Sequence, residues 1–206
     1  MNNLFVFGCS FTHGLETKMT SSHHLIDGGD NLIWPEILSK ELNLNLINKG
    51  EGGFSNDKIF DSIIDSFDSI GENDVVIIEK TYYNRFDVPF RKNDNFLSID
   101  KFFTINPNFL KQIDKSNFIF EEKKSLQNLI IMMDNNIVKT RIDNRFNFIE
   151  KVLIDYNKVR KCIIWNLDKF DKEFETIKES TNNLIDDQHW SFKGHHDFAK
   201  NLLKEL

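Results

Sequence analysis

The feature that most constrains the fold is Val75-Val76-Ile77-Ile78, four consecutive β-branched residues that follow Glu72-Asn73-Asp74. A strand with one wet face alternates apolar and polar side chains. An unbroken β-branched run instead predicts burial on both faces, as in a central strand of a parallel sheet. Leu4 to Gly8, a short apolar run ended by glycine, predicts a first buried strand. Trp34 to Leu42 places Trp34, Ile37, Leu38 and Leu42 at helical spacing, with Pro35 tolerated in the first turn. Leu44 to Asn48 alternates as a second strand, broken by Gly50-Glu51-Gly52-Gly53. Ser55 or Asn56 then caps a helix with the stripe Ile59, Phe60, Ile63, Ile64 and Phe67. Helical spacing returns from Phe120 through Met133, from Phe146 through Tyr156, and from Ser191 to the end, with a fourth strand at Cys162 to Leu167. Strands alternating with helices in this way predict an α/β fold, a parallel sheet covered on both faces.

One region departs from the alternation. Residues 85–116 hold two of the three prolines, many Asn and Asp, and Phe without a stable period. They read as an insertion after the third strand, with a short hairpin expected near Phe96 to Ile105. At 206 residues the chain is expected to form a single domain, residues 1–206, carrying that insertion. A net charge of −6, from 26 basic and 32 acidic residues, argues against a nucleic-acid binder. No run approaches the roughly 18 apolar residues of a membrane span. Met1-Asn2-Asn3 lacks the basic flank of a signal peptide, so the expectation is a cytoplasmic protein without membrane contact. Cys9 and Cys162 are too few for a disulfide scaffold or a four-cysteine zinc site, and both lie in apolar runs.

In parallel sheets the reactive groups gather at the carboxyl ends of the strands. Three segments there carry chemistry. Gly8-Cys9-Ser10-Phe11-Thr12 displays a hydroxyl just past strand one, and its structural alternative is a helix cap. In Asp186-Asp187-Gln188-His189-Trp190-Ser191, an Asp three residues before a His can fix the ring tautomer and leave Nε2 as a base. The alternative there is a capped surface turn. Asn48-Lys49-Gly50-Glu51-Gly52-Gly53-Phe54-Ser55-Asn56 lets backbone approach a ligand closely, or simply turns.

With these blocks in this order, the chain resembles the SGNH (GDSL-type) hydrolases. Gly8-Cys9-Ser10-Phe11 stands where that family has Gly-Asp-Ser-Leu. Asn48 through Gly53 is similar to its second block, and Asp186 with His189 to its terminal block, followed by Ser191 and Gly194-His195. The resemblance implies a three-layer α/β/α architecture with a flavodoxin-like sheet. It also implies a carboxylic-ester hydrolase with Ser10 as nucleophile, His189 as base and Asp186 orienting it. Asp187 is the fallback for that last role. The backbone N–H groups of Ser10 and Gly53 would form the oxyanion hole, with no metal and no cofactor. The third block departs: where the family has Gly-x-Asn-Asp, this chain reads Glu79-Lys80-Thr81-Tyr82-Tyr83-Asn84-Arg85. Thr81 and Asn84 are the two candidates for the missing donor, and Arg85 and Tyr82 are candidates for substrate binding.

The expected substrate is a small-molecule or glycan ester. Water on the acyl-enzyme makes an esterase, a sugar hydroxyl an acyltransferase, and both stay open. The other class is a catalytically weak or inactive module that binds a partner or assembles with it. Metal binding by His23-His24 or His195-His196 is disfavoured, since adjacent side chains on a helix or strand point apart. Cys9 beside Ser10 is expected to point into the core rather than act as the nucleophile. The aromatic residues Tyr82, Tyr83, Phe86, Phe90, Phe96, Phe102 and Phe103 either line a pocket or anchor the insertion.

Overall fold

A computed structural model of the chain describes residues 2–14, 31–83, 85–90, 101–105, 124, 135–167 and 190–206. In chain order its elements are β1 (Asn3–Phe7), α1 (Ser10–His13), α2 (Trp34–Leu42), β2 (Asn45–Asn48) and α3 (Asn56–Ser66) with a 3-10 turn over Phe67–Ser69. Then follow β3 (Val75–Lys80), β4 (Phe86–Phe90), β5 (Lys101–Ile105), α4 (Asn135–Asp155), β6 (Lys161–Asn166) and α5 (Phe192–Leu203). Four strands form one parallel sheet in the order β2-β1-β3-β6. Leu4 pairs with Val75 and Phe7 with Ile78, while Val75 pairs with Lys161 and Lys80 with Asn166. The chain is an α/β protein, and β3 is internal to the sheet, as its β-branched run requires.

Side-chain alternation along the strands builds two cores. Leu4, Val6, Val75, Ile77 and Ile163 face α2 and α5, packing with Trp34, Leu38, Phe198 and Leu202. Phe5, Phe7, Val76, Ile78 and Cys162 face α3 and α4, packing with Ile59, Ile63, Phe146 and Leu153. Helices therefore cover both faces of the sheet in three layers.

Local chemistry sets the boundaries. Ser55 is the N-cap of α3, its hydroxyl accepting from the Lys58 N–H at 3.2 Å. Ser191 does the same for α5, accepting from the Gly194 N–H at 3.2 Å. Glu36 reaches back to the Ile33 N–H at 3.0 Å, and Asn43 ends α2 in the left-handed region. The hairpin in the insertion starts earlier than its composition suggests. Strand β4 pairs antiparallel with β5, Phe86 opposite Ile105 and Phe90 opposite Lys101. Pro89 disguises β4 because proline is normally a strand breaker, tolerated at an edge. Helix α4 likewise begins at Asn135, well before Phe146. The helix expected between Phe120 and Met133 lies outside the described residues, apart from a helical Lys124.

Candidate active site

The sheet changes its direction of winding at β1. The chain passes from β1 to β2 on one side, then returns through α3 to β3 on the other. The carboxyl ends of β1 and β3 flank this switch point, where open α/β sheets bind their ligands. Ser10 stands there as the first residue of α1, with Cys9 as N-cap. Ser10 is 7% exposed, and its hydroxyl approaches the Cys9 sulfur at 3.9 Å. This single helical turn closes on Gly14, whose left-handed backbone donates to the Ser10 carbonyl at 2.8 Å.

A carboxylate lies directly against this turn. Glu79, on β3, is 0% exposed. It accepts from the Cys9 backbone N–H at 3.2 Å, from the Cys9 thiol at 2.7 Å and from the Thr12 hydroxyl at 2.5 Å. Burial pushes the Glu79 carboxyl above its ordinary value, although the Cys9 and Thr12 hydrogen bonds and the Arg85 charge pull the other way. Burial, then the neighbouring Glu79 charge, pushes the Cys9 thiol up to about 12. Cys9 is therefore an inert, protonated donor pointing inward, as its place in an apolar run predicts. Gly8 makes the arrangement possible. A Cβ there would sit 2.2 Å from Thr12 Oγ1 and 2.4 Å from Glu79 Oε2.

Two further loops are laced to this turn. After β2, the Asn48 side chain donates to the Thr12 carbonyl at 3.0 Å and the Glu51 N–H donates to the Gly8 carbonyl at 3.2 Å. Gly53 in this loop adopts φ +80°, a left-handed conformation natural to glycine, and has open space beside it. The loop after β3 is clamped by Asn56, which is 2% exposed. Its side chain accepts from the Thr81 N–H at 3.0 Å and donates to the carbonyls of Thr81 at 3.0 Å and Tyr82 at 3.2 Å. Arg85 donates to the Phe54 carbonyl at 3.4 Å and stands over the Tyr82 ring at 5.9 Å. The Thr81 hydroxyl and Arg85 Nε are buried and have no hydrogen-bond partner among the described residues.

Ser10, Gly53, Thr81, Tyr82 and Arg85 thus lie on three loops joined by hydrogen bonds. His189, Asp186, Asp187 and Asn84 lie outside the described residues. The ring of Trp190 meets that of Phe11 edge-on with centroids 5.2 Å apart. The chain neighbour of Ser10 therefore touches the chain neighbour of His189. Trp34 reinforces this corner: its indole N–H donates to the Phe11 carbonyl at 3.1 Å, and its backbone N–H donates to His195 Nδ1 at 3.3 Å. His195, 1% exposed, is a core residue of the aromatic cluster.

Two groups escaped the sequence reading. Glu79 was named only as part of the altered third block, although its parity with Val75 and Ile77 places it on an inward face. Lys80, on the opposite face, pairs with Asp143 at 2.5 Å, and Tyr83 donates to the same carboxylate at 2.9 Å. Burial acts upward on Asp143, but the Lys80 and Tyr83 hydrogen bonds and the Lys80 and Lys139 charges prevail and hold its carboxyl below the ordinary range. These residues border a cavity of about 750 Å³ that also touches Trp165, Asn166 and Lys204 but not Ser10. Among the described residues, no group of three His, Cys, Asp or Glu side chains could hold a metal ion, and no helix is long and apolar enough to cross a membrane.

No family model matches the chain, and neither does any curated protein. Among solved structures it is similar to a protein described as lipolytic and of the G-D-S-L family, from Desulfitobacterium hafniense DCB-2, with a TM-score of 0.38 and 12% identity over 100% of both chains. It is also similar to LAE5, an alpha/beta hydrolase enzyme from the metagenome of Lake Arreo, Spain, with a TM-score of 0.42 and 16% identity over 98% of this chain and 94% of that one. At such TM-scores neither likeness bears on function.

Proposed function

We propose that the protein is a serine esterase of the SGNH type that hydrolyses a carboxylic ester, a small-molecule ester or an O-acyl group on a glycan. Ser10 Oγ attacks the ester carbonyl while His189 Nε2 takes its proton and then delivers it to the departing alcohol. Asp186 holds the His189 ring and stabilises its charged form. The N–H groups of Ser10 and Gly53 receive the oxyanion, and Thr81 or Asn84 supplies a third donor. Arg85 and Tyr82 bind the substrate. The acyl group stays on Ser10 until water releases it; a sugar hydroxyl in place of water makes the same enzyme an acyltransferase.

The observation that supports this reading is the contact between Phe11 and Trp190, which follow Ser10 and His189 directly in the sequence. The position of Ser10 at the switch point supports it further. A second reading, a catalytically inactive module of the same fold that binds a partner or assembles with it, is favoured by the altered third block alone. Labelling with a fluorophosphonate probe, followed by peptide mapping, separates the two. An esterase is labelled on Ser10, and His189→Ala slows that labelling steeply. A module that only binds takes up no label at Ser10.

A further inference from the structure

We propose that Glu79 is a positioning residue for Ser10: its carboxylate gathers the Cys9 N–H, the Cys9 thiol and the Thr12 hydroxyl, and so holds the turn that presents the serine. This rests on the reading of Ser10 as nucleophile. Three donors drawn from four successive residues converge on one side chain of another strand. Across the register, Gly8 has no side chain to keep that carboxylate away. Helix α1 is one turn long, so its own hydrogen bonds cannot hold it in place; an isolated turn is far below the length at which a helix persists. The rigidity of Ser10 therefore has to come from outside the helix: Asn48 and Trp34 each bond one carbonyl of the turn, and Glu79 gathers three of its donors.

The same geometry accounts for a departure in the Ser10 block. Where the resembled family has Asp beside the serine, this chain has Cys9, and the Cys9 thiol donates to Glu79. An aspartate at position 9 would set two carboxylates against each other in a buried site, and one of them would have to stay protonated. Cys9 and Glu79 are thus a matched pair.

The test compares fluorophosphonate labelling rates of the wild type, Glu79→Gln, Cys9→Asp and the double variant, with melting temperature recorded for each. Glu79→Gln is isosteric, so it keeps the shape of the site while losing the three-donor acceptor. Its labelling, and that of Cys9→Asp, is expected to fall on the order of ten- to a hundredfold with the protein still folded, a magnitude typical of a slightly misplaced reacting group. Cys9→Asp/Glu79→Gln is expected to recover part of the loss of Cys9→Asp. Wild-type rates in Glu79→Gln, or no recovery in the double variant, would overturn the proposal. Should the wild type take no label, the esterase reading fails while this one is still decided by amide hydrogen exchange. The Thr12, His13 and Gly14 amides, bonded to the Cys9 and Ser10 carbonyls, lose protection in Glu79→Gln ahead of the β1 amides if Glu79 holds the turn. Unchanged protection there would contradict it.

Discussion

Burying a carboxylate costs free energy unless donors satisfy it, and Glu79 meets three of them. Its raised value has a consequence for stability. Between the ordinary glutamate value of 4.5 and the higher folded value, the folded protein holds a proton that the unfolded chain has released. Within that window this group makes the fold less stable as pH rises, and Glu79→Gln removes the slope. Denaturant titrations at a series of pH values are expected to show a flatter profile for the variant. Gly8→Ala acts on the same contact from the other side. Its methyl group meets Thr12 Oγ1 and Glu79 Oε2 well inside van der Waals distance, so a loss of about 1–3 kcal/mol is expected in chemical denaturation. Neither effect was legible in the sequence. A Glu after four β-branched residues reads as the wet end of a strand, and only the register of Phe7 with Ile78 brings it beside Gly8. The placement of Ser10 was legible because a hydroxyl past a short buried strand is a local pattern.

At the scale of elements, the site depends on loops that are fastened from helix termini. Ser55 caps α3 and also donates to Asp87 on β4 at 2.8 Å, while Asn56, the next residue, secures the loop after β3. Asn56→Ala leaves the Thr81 N–H and two carbonyls without their partner. It is expected to cost about 1–3 kcal/mol and to raise KM more than it lowers kcat, since Tyr82 and Arg85 lie on that loop. A melting curve and initial-rate kinetics check the two parts. The sequence named Ser55 and Asn56 together as possible caps, and could not divide capping from clamping because the clamp's partners lie 25 and 26 residues away. Most helix and strand bounds were readable to within a few residues, since periodicity and caps are local. The start of α4 and the insertion were the exceptions: α4 begins at Asn135 rather than Phe146, and pairing between β4 and β5 is set by register across the hairpin, where Pro89 conceals it.

For the whole molecule, one core ties the ends of the chain to the site. Trp34 of α2, Trp165 of β6, Trp190 and Phe198 of α5 form a ring cluster, with Trp34 and Phe198 at 5.4 Å and Trp190 and Phe198 at 4.8 Å. Trp190 also carries Phe11, so the cluster and the Ser10 turn share a wall. Trp190→Ala is expected to cost about 3–5 kcal/mol, as large buried aromatics do when truncated, and to depress activity in what remains folded. The parallel sheet and its two covered faces followed from the alternation of apolar runs alone, because both cores are built from residues of opposite parity on β1 and β3. The joining of the three loops did not follow from it, since the bonds that lace them run between side chains and backbone far apart in sequence.

The central claim is that Ser10 is the nucleophile of an ester hydrolase, and hydrolysis of p-nitrophenyl acetate and butyrate by the wild type and Ser10→Ala tests it most directly. The account predicts turnover that rises with deprotonation of a histidine and disappears in Ser10→Ala. Equal turnover by the two proteins, or none by either together with no fluorophosphonate label on Ser10, would contradict it.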